Sequence, residues 1–221
     1  MANTIIIGAG GYSKVVIDNL SFNKDIKIIG FVDKTKELHN KEKFGFKVFG
    51  DISILPSLIK QHKIDSAFIA IGDQEARKKY SEEINKYNLK LVNAIHPTAH
   101  ISSSAKLGKG IFIGAGCIIG PDVQIGDNCL IHHNVVLPND NILEDYVHIS
   151  PGVNLGSATL MKEFSYIGLG SSILQYIKIG TGAVVGAGAV VTKDVADNIV
   201  VIGVPAKPFK KREDVKLKAR I

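Results

Sequence analysis

The 221-residue sequence has no tryptophan, two cysteines, and only nine phenylalanines and six tyrosines. Two cysteines, Cys117 and Cys129, cannot frame a disulfide-stapled fold. No run approaches the roughly 18 apolar residues that a bilayer-spanning helix needs, so no membrane span is expected. The opening Met-Ala-Asn-Thr, followed by Ile5-Ile6-Ile7-Gly8, lacks the basic flank and long apolar stretch of a signal peptide. The expected setting is therefore the reducing cytoplasm. Hydrophobic residues make up 45% of the chain and charged residues 22%, which excludes an intrinsically disordered protein. What the chain has in quantity is glycine, 22 residues. Its core must be built without large rings.

Charge of one sign is also missing over most of the length. The net charge is +6, but the segment 201–221 holds seven Lys and Arg residues against Glu213 and Asp214, or 7 − 2 = +5. Nearly the whole excess lies in one tail. A basic tail can bind nucleic acid, but no aromatic platform or recognition motif accompanies it, so no nucleic-acid partner is expected. The tail reads as a solvated terminal helix over Glu213 to Arg220, or as an element near the phosphates of a cofactor.

Half of the chain repeats. Written in blocks of six from Ile101, the first residues form an aliphatic column: Ile101, Leu107, Ile113, Ile119, Ile125, Ile131, and so on without insertion to Val191, with Met161 its one thioether. The second position is often Gly, and the fifth is mostly small or β-branched, with Cys117 and Cys129 among them. A period of six fits neither a helix nor a plain strand. It fits short strands joined by tight corners, with glycine letting the backbone turn and the first residue pointing inward. Three blocks would close one triangular coil, and sixteen blocks five coils and a remainder. The two cysteines are expected as small core residues.

These hexads, with Gly203-Val204-Pro205-Ala206-Lys207 after the last of them, resemble the left-handed parallel β-helix of hexapeptide-repeat acyltransferases. The left-handed sense is implied by that resemblance alone, since parallel β-crossovers are otherwise right-handed. The resemblance also implies a homotrimer, with acetyl-CoA as cosubstrate in the groove between neighbouring helices.

Residues 1–95 stand outside the repeat. The run Thr4-Ile5-Ile6-Ile7 reads as a buried strand leading into Gly8-Ala9-Gly10-Gly11-Tyr12-Ser13-Lys14 and a helix from Val15 to Leu20. A second strand, Lys27 to Val32, ends at Asp33, and a third, Ser66 to Ile71, runs into Gly72-Asp73. Arg77 to Tyr87 reads as a helix and Lys90 to Val92 as a last strand. Alternating units of this kind predict a short parallel, Rossmann-like sheet with ligands at the carboxyl ends of its strands. Gly8-x-Gly10 with Asp33 beyond it partly matches a dinucleotide fingerprint, but Ser13 occupies the third glycine position. Three readings stay open: NAD, another phosphate-bearing nucleotide held by backbone N–H groups, or a tight turn with no ligand.

The pairing of Gly-Ala-Gly-Gly, Phe31-Val32-Asp33 and Ala70-Ile71-Gly72-Asp73 with the hexads is similar to the sialic-acid and bacillosamine-pathway acetyltransferases. That resemblance implies that Gly10, Gly11 and Tyr12 face the phosphates of a sugar nucleotide, Asp33 and Lys34 its base or ribose, and Gly72 the same ligand. Many relatives carry His where this chain has Tyr12. The resemblance further places a catalytic His, followed by an acid, two corners before a segment like Tyr146-Val147-His148-Ile149-Ser150-Pro151-Gly152. Counting along the hexads, that position is Asn139, followed by Asp140 and Asn141. The acid is kept and the base is gone. His148 is implied to lie beside the acetyl-CoA thioester, and the corners of Ser157, Leu169 and Ala187 to meet the cosubstrate. His132 and His133 lie one coil earlier; Pro121 and Ser157 should stack directly on Asn139, eighteen residues to either side. No metal-ligand set is assigned.

Losing a positioned general base costs about 10²–10⁴ in rate. A sugar hydroxyl cannot absorb that, whereas an amine with a pKa near ~8, like an α-amino group, is already partly neutral at pH 7. Asn139 therefore argues for an amino-sugar acceptor and N-acetylation, with Asn139 and Asp140 orienting the amine. The alternatives are O-acetylation of the sialic-acid type, which expects His at that position, and a catalytically silent nucleotide-sugar-binding protein. The expected architecture is an α/β nucleotide-sugar-binding domain over 1–95, a left-handed parallel β-helix over 96–206, and a basic tail over 207–221.

Overall fold

The computed structural model describes residues 1–214 and divides into two compact units, with the boundary between Ala94 and Ile95. The first unit is a four-stranded parallel sheet in the order β2-β1-β5-β6. Its strands are β1 (Ala2–Ile7), β2 (Ile26–Val32), β5 (Ser66–Ile69) and β6 (Lys90–Leu91), and its helices α1 (Ser13–Ser21), α2 (Leu55–His62) and α3 (Gln74–Asn85). Because β1 is central, Ile5, Ile6 and Ile7 are wholly buried, together with Ala67, Phe68 and Ile69 on β5. A two-residue hairpin joins β3 (Glu42–Lys43) to β4 (Phe46–Lys47). Both of its loop residues, Phe44 and Gly45, have positive φ, as the twist of a tight hairpin demands. The sequence reading contains neither this hairpin nor α2, and α3 begins three residues before its expected start, where the Asp73 carboxylate caps the N–H of Ala76 at 2.8 Å.

The second unit is a left-handed β-solenoid of about six turns. Rungs eighteen residues apart pair in parallel in three sheets; Phe112, Leu130, His148, Tyr166 and Val184 are successive partners in one of them. First-position residues from Ile113 to Val191 point inward and form one aliphatic core with Cys117 and Cys129. Each fully buried side chain contributes roughly 1.5–3 kcal/mol, so length in coils replaces large rings. The chain makes about six turns because the column is extended at both ends: Ile95 packs on it one block earlier than Ile101, and Val195 and Val201 continue it after Val191. The last turn is also shorter: Val184 pairs with Val200, a step of 200 − 184 = 16 residues.

The corners correct one expectation. Second-position glycines do not supply the turn, for none of them has a positive φ. They are required by close stacking: a Cβ on Gly168 would lie 2.6 Å from both Ala187 N and Val185 O of the next coil. The left-handed residue is the fourth of each block, every sixth position from Gly110 to Gly188. Asn and Asp fill several of these, but so do Tyr146, Ala158, Phe164 and Tyr176, at a cost near 1–2 kcal/mol each. Tyr146 and Phe164 stack on one another, ring centroids 5.3 Å apart.

The basic tail is partly structured. Lys207–Lys211 forms an antiparallel strand on Ile199–Ile202, and the Arg212 guanidinium donates to Phe164 O (2.6 Å) and Gly182 O (2.9 Å). Arg212 thereby satisfies corner carbonyls instead of standing in solvent. Arg212–Asp214 forms a 3₁₀ turn, and the rest of the terminal helix expected over Glu213 to Arg220 lies outside the described residues.

Candidate active site

In the first unit two side chains, Ser13 and Asp33, tie the glycine loop together, and Arg77 holds the end of β5. Gly8 has φ +98°, and a Cβ there would meet Ile71 Cγ1 at 2.9 Å and Ala70 O at 3.0 Å, so only glycine fits. Ser13 Oγ donates to Gly8 O at 2.7 Å, which gives the residue at the incomplete fingerprint's third position a bracing role. Asp33 accepts from Ala9 N (2.7 Å) and Thr35 N (2.8 Å), one on each carboxylate oxygen. Burial opposes its charge, but these two N–H groups and nearby Lys34 outweigh it and hold the carboxyl below its ordinary range. Arg77 is fully buried and donates through Nη1 to Ile71 O (3.0 Å) and Gly72 O (2.9 Å), fixing the end of β5. Burial pushes the Tyr12 phenol far above its ordinary value, with the Arg77 charge opposing. Arg77 is a site-shaping residue that sequence reasoning passed over, because a basic residue in a polar helix gives no sign of facing inward.

Gly10 and Gly72 behave differently from Gly8. Neither has a positive φ, and a Cβ on either would meet nothing within 4 Å. Neither backbone strain nor internal packing accounts for these glycines. Gly10 and Gly11 lead into the N-terminus of α1, whose positive dipole end favours an anion, although the N–H groups of Ser13, Lys14 and Val15 are already taken by Gly10 O, Gly11 O and Tyr12 O. Lys34 is exposed beside Asp33.

In the solenoid the predicted residues fall on two corners. Asn139, Asp140 and Ser157 share one. Ser157 Oγ donates to Asn139 Oδ1 at 2.6 Å, and Asn139 Nδ2 donates to Asp140 Oδ2 at 2.5 Å. The backbone stacks as the eighteen-residue spacing predicts, with Asp140 N on Pro121 O (3.1 Å) and Ala158 N on Asn139 O (3.0 Å). Both ends of the Asn139 amide are thus oriented, and the exposed acceptor at this corner is the Asp140 carboxylate. Leu169 and Ala187 stand on a different corner, the one that His148 leads into, where Gly170 N bonds Pro151 O and Gly188 N bonds Leu169 O. Ser157 is therefore separated from the two residues it was grouped with.

His148 is held between two rings: His132 stacks on one side (5.0 Å, 25°) and Tyr166 lies on the other (4.7 Å, 48°). Tyr166 in turn receives a hydrogen bond from Ser150 Oγ at 3.1 Å. His133 Nδ1 accepts the Ala115 N–H at 3.2 Å, so that histidine braces the coil below. A cavity of about 490 Å³ opens at the far mouth of the solenoid near Val191, Lys193, Val201 and Lys207; none of the predicted site residues lines it. Among the described residues no cluster of His, Cys, Asp and Glu is suited to a metal ion, and no helix is long and apolar enough to cross a membrane.

Two family models match this arrangement: the PglD N-terminal domain over residues 3–84, and the bacterial transferase hexapeptide (six repeats) over residues 104–139. The chain is also similar along its length to a His-to-Asn variant of perosamine N-acetyltransferase from Caulobacter crescentus, solved in complex with CoA and GDP-perosamine. The identity is 34%, the TM-score 0.88, and the coverage 96% of this chain and 98% of that one. The chain belongs to the hexapeptide-repeat sugar acetyltransferases. This acetyltransferase is likewise similar to the acetyltransferase domain of PglB from Neisseria gonorrhoeae, at 31% identity and TM-score 0.87, over 95% of this chain and 100% of that one. Curated relatives match only in part. The 2,3,4,5-tetrahydropyridine-2,6-dicarboxylate N-acetyltransferase of Staphylococcus aureus is 36% identical over 77 residues, 31% of this chain and 32% of its own length. The chain thus spans about a third of the length of such relatives.

Proposed function

We propose that the protein transfers an acetyl group from acetyl-CoA to the amine of a nucleotide-linked amino sugar, such as a dTDP- or UDP-4-amino-4,6-dideoxy hexose, for surface glycan synthesis. The observation that carries this reading is the Asn139 corner. Its amide oxygen takes the Ser157 hydroxyl and its nitrogen holds the Asp140 carboxylate. No histidine stands there to take a hydroxyl proton, while the exposed carboxylate suits an arriving ammonium. The relative that carries asparagine in place of a histidine still holds both CoA and GDP-perosamine, which supports binding of both substrates at a site short of one histidine.

Acetyl-CoA supplies the acyl group. The amine nitrogen forms the new bond to the carbonyl carbon as the C–S bond breaks, and its proton passes to water or to the departing thiolate. Asn139 and Asp140 orient the amine, and His148, fixed in its ring stack, donates toward the carbonyl oxygen. The exposed corner residues Leu169 and Ala187 offer apolar surface and backbone to the cosubstrate. In the first unit Gly10, Gly11 and Tyr12 receive the diphosphate, Gly72 gives it room, and Asp33 and Lys34 meet the base or ribose. Since Asn139 and His148 belong to different corners of one solenoid, a homotrimer accounts for both: the groove between two copies joins the Asn139 corner of one to the His148 corner of the next.

Thiol release from acetyl-CoA, followed while dTDP-, UDP- and GDP-linked amino sugars are offered in turn, tests the reading. Turnover with one of them and its loss by at least tenfold in His148→Ala are expected. No thiol release with any amino sugar would overturn it.

A further inference from the structure

The inward fifth positions of the solenoid carry a brace that changes chemistry beneath the Asn139 corner. Cys117 Sγ donates to His132 O (2.9 Å), and Cys129 Sγ donates to Glu144 O (3.1 Å), in each case fifteen residues ahead. Asn141 makes the same fifteen-residue bond, Nδ2 to Gly156 O at 2.7 Å, and adds a second from Nδ2 to Thr159 Oγ1 at 2.7 Å. Asn141 and Thr159 are both buried inside the aliphatic column. The Asn141 side-chain oxygen is buried as well, and among the described residues no donor reaches it. Valine fills the neighbouring fifth positions, Val123, Val135, Val147 and Val153, without such a penalty. A core that keeps an unsatisfied carbonyl where valine fits calls for a compensating role.

The geometry supplies one. Gly156 precedes Ser157, whose hydroxyl holds the Asn139 amide 2.6 Å away, and Asn141 follows Asp140 directly. The same two turns of backbone are therefore pinned from inside by Asn141 and Thr159, and from outside by Ser157, Asn139 and Asp140. We infer that Asn141 is a positioning residue for acyl transfer: by holding Gly156 O from within the core it sets the height of Ser157, and through it the orientation of the Asn139 amide. This rests on the function proposed above, but the brace can be read without it.

The test compares Asn141→Val, which removes the donor, with Asn141→Cys, which keeps one of the kind that Cys117 and Cys129 already provide. Small displacements at a reacting centre cost up to about a hundredfold in rate. Asn141→Val removes one unsatisfied carbonyl but strands Gly156 O and Thr159 Oγ1; it is expected to fold with a Tm no higher than that of the wild type, and to lose between about tenfold and a hundredfold in kcat while KM for the nucleotide sugar stays within about twofold. Asn141→Cys should recover kcat to within about threefold, and Cys129→Val, the same brace on another corner, should leave it unchanged. Amide hydrogen exchange at Asp140 and Ala158 should quicken in the valine variant and not in the cysteine one. Equal kcat in the valine and wild-type proteins, or unaltered exchange at those amides, overturns the inference. A wild type that acetylates no amino sugar would instead strike the proposed function, and the exchange result would still decide whether the brace exists.

Discussion

Glycine does opposite work at Gly168 of the solenoid and at Gly10 and Gly72 of the sheet unit, and the contrast separates folding from function. In the solenoid Gly168 is fixed by its own chain, since backbone atoms of the next coil lie where its Cβ would go. In the sheet unit Gly10 and Gly72 face open space with no positive φ, so nothing inside the chain requires them. Packing explains the first kind, and the proposed nucleotide-sugar site would explain the second. A glycine-rich composition by itself cannot tell them apart.

The contrast breaks most visibly at Gly168. Gly168→Ala drives a methyl into the backbone of Ala187 and Val185, which cannot yield without parting two coils. Destabilisation of about 3 kcal/mol or more is expected, seen as a fall in Tm of several degrees or complete loss of folded protein. Arg212→Ala should cost about 1.5–3 kcal/mol, because two corner carbonyls lose a charged donor; urea melts of variant and wild type measure it. Gly10→Ala sharpens the other side. Tm should stay within about 1 °C while affinity for the nucleotide sugar drops about tenfold, near 1.4 kcal/mol. A Gly10→Ala protein that binds as tightly as the wild type would remove the ligand from the explanation of that glycine.

The smallest effect belongs to Asp33. Its carboxyl is held below its ordinary range in the folded protein, so its contribution is complete above the unfolded value near ~4 and is lost as pH falls through the lower folded value. Partial exposure keeps that contribution modest. Melting followed from pH 6 down to pH 2 should show a shallower loss of Tm in Asp33→Asn than in the wild type.

What could be read from the sequence follows from which contacts are periodic. The aliphatic column and the stacking of Ser157 on Asn139 repeat at multiples of six, so counting alone reaches them. The ring stack around His148 is only half periodic: Tyr166 lies eighteen residues on, in register, but His132 lies sixteen residues back, off it, and only the fold brings those two rings together. The second-position glycines do not mark the corners, because left-handed backbone at the fourth position is held by coil stacking even at Tyr146 and Phe164, residues that signal no turn. The hairpin at Phe44-Gly45 escaped for the same reason, a bulky residue standing where Asn is usual. Asn141 was visible as a polar letter in an inward column, but its meaning needed the bond to Gly156 O. Arg77 gave no signal at all.

The central claim is that the Asn139 corner serves an amine that needs no base. Its most direct test is the ratio of kcat/KM for one nucleotide-linked amino sugar to that for the matching hydroxy sugar, measured in the wild type and in Asn139→His. The account predicts a wild type that acetylates only the amine, and a variant whose ratio falls at least tenfold because the hydroxyl becomes a usable acceptor. A wild type that acetylates the hydroxyl as readily as the amine would contradict it.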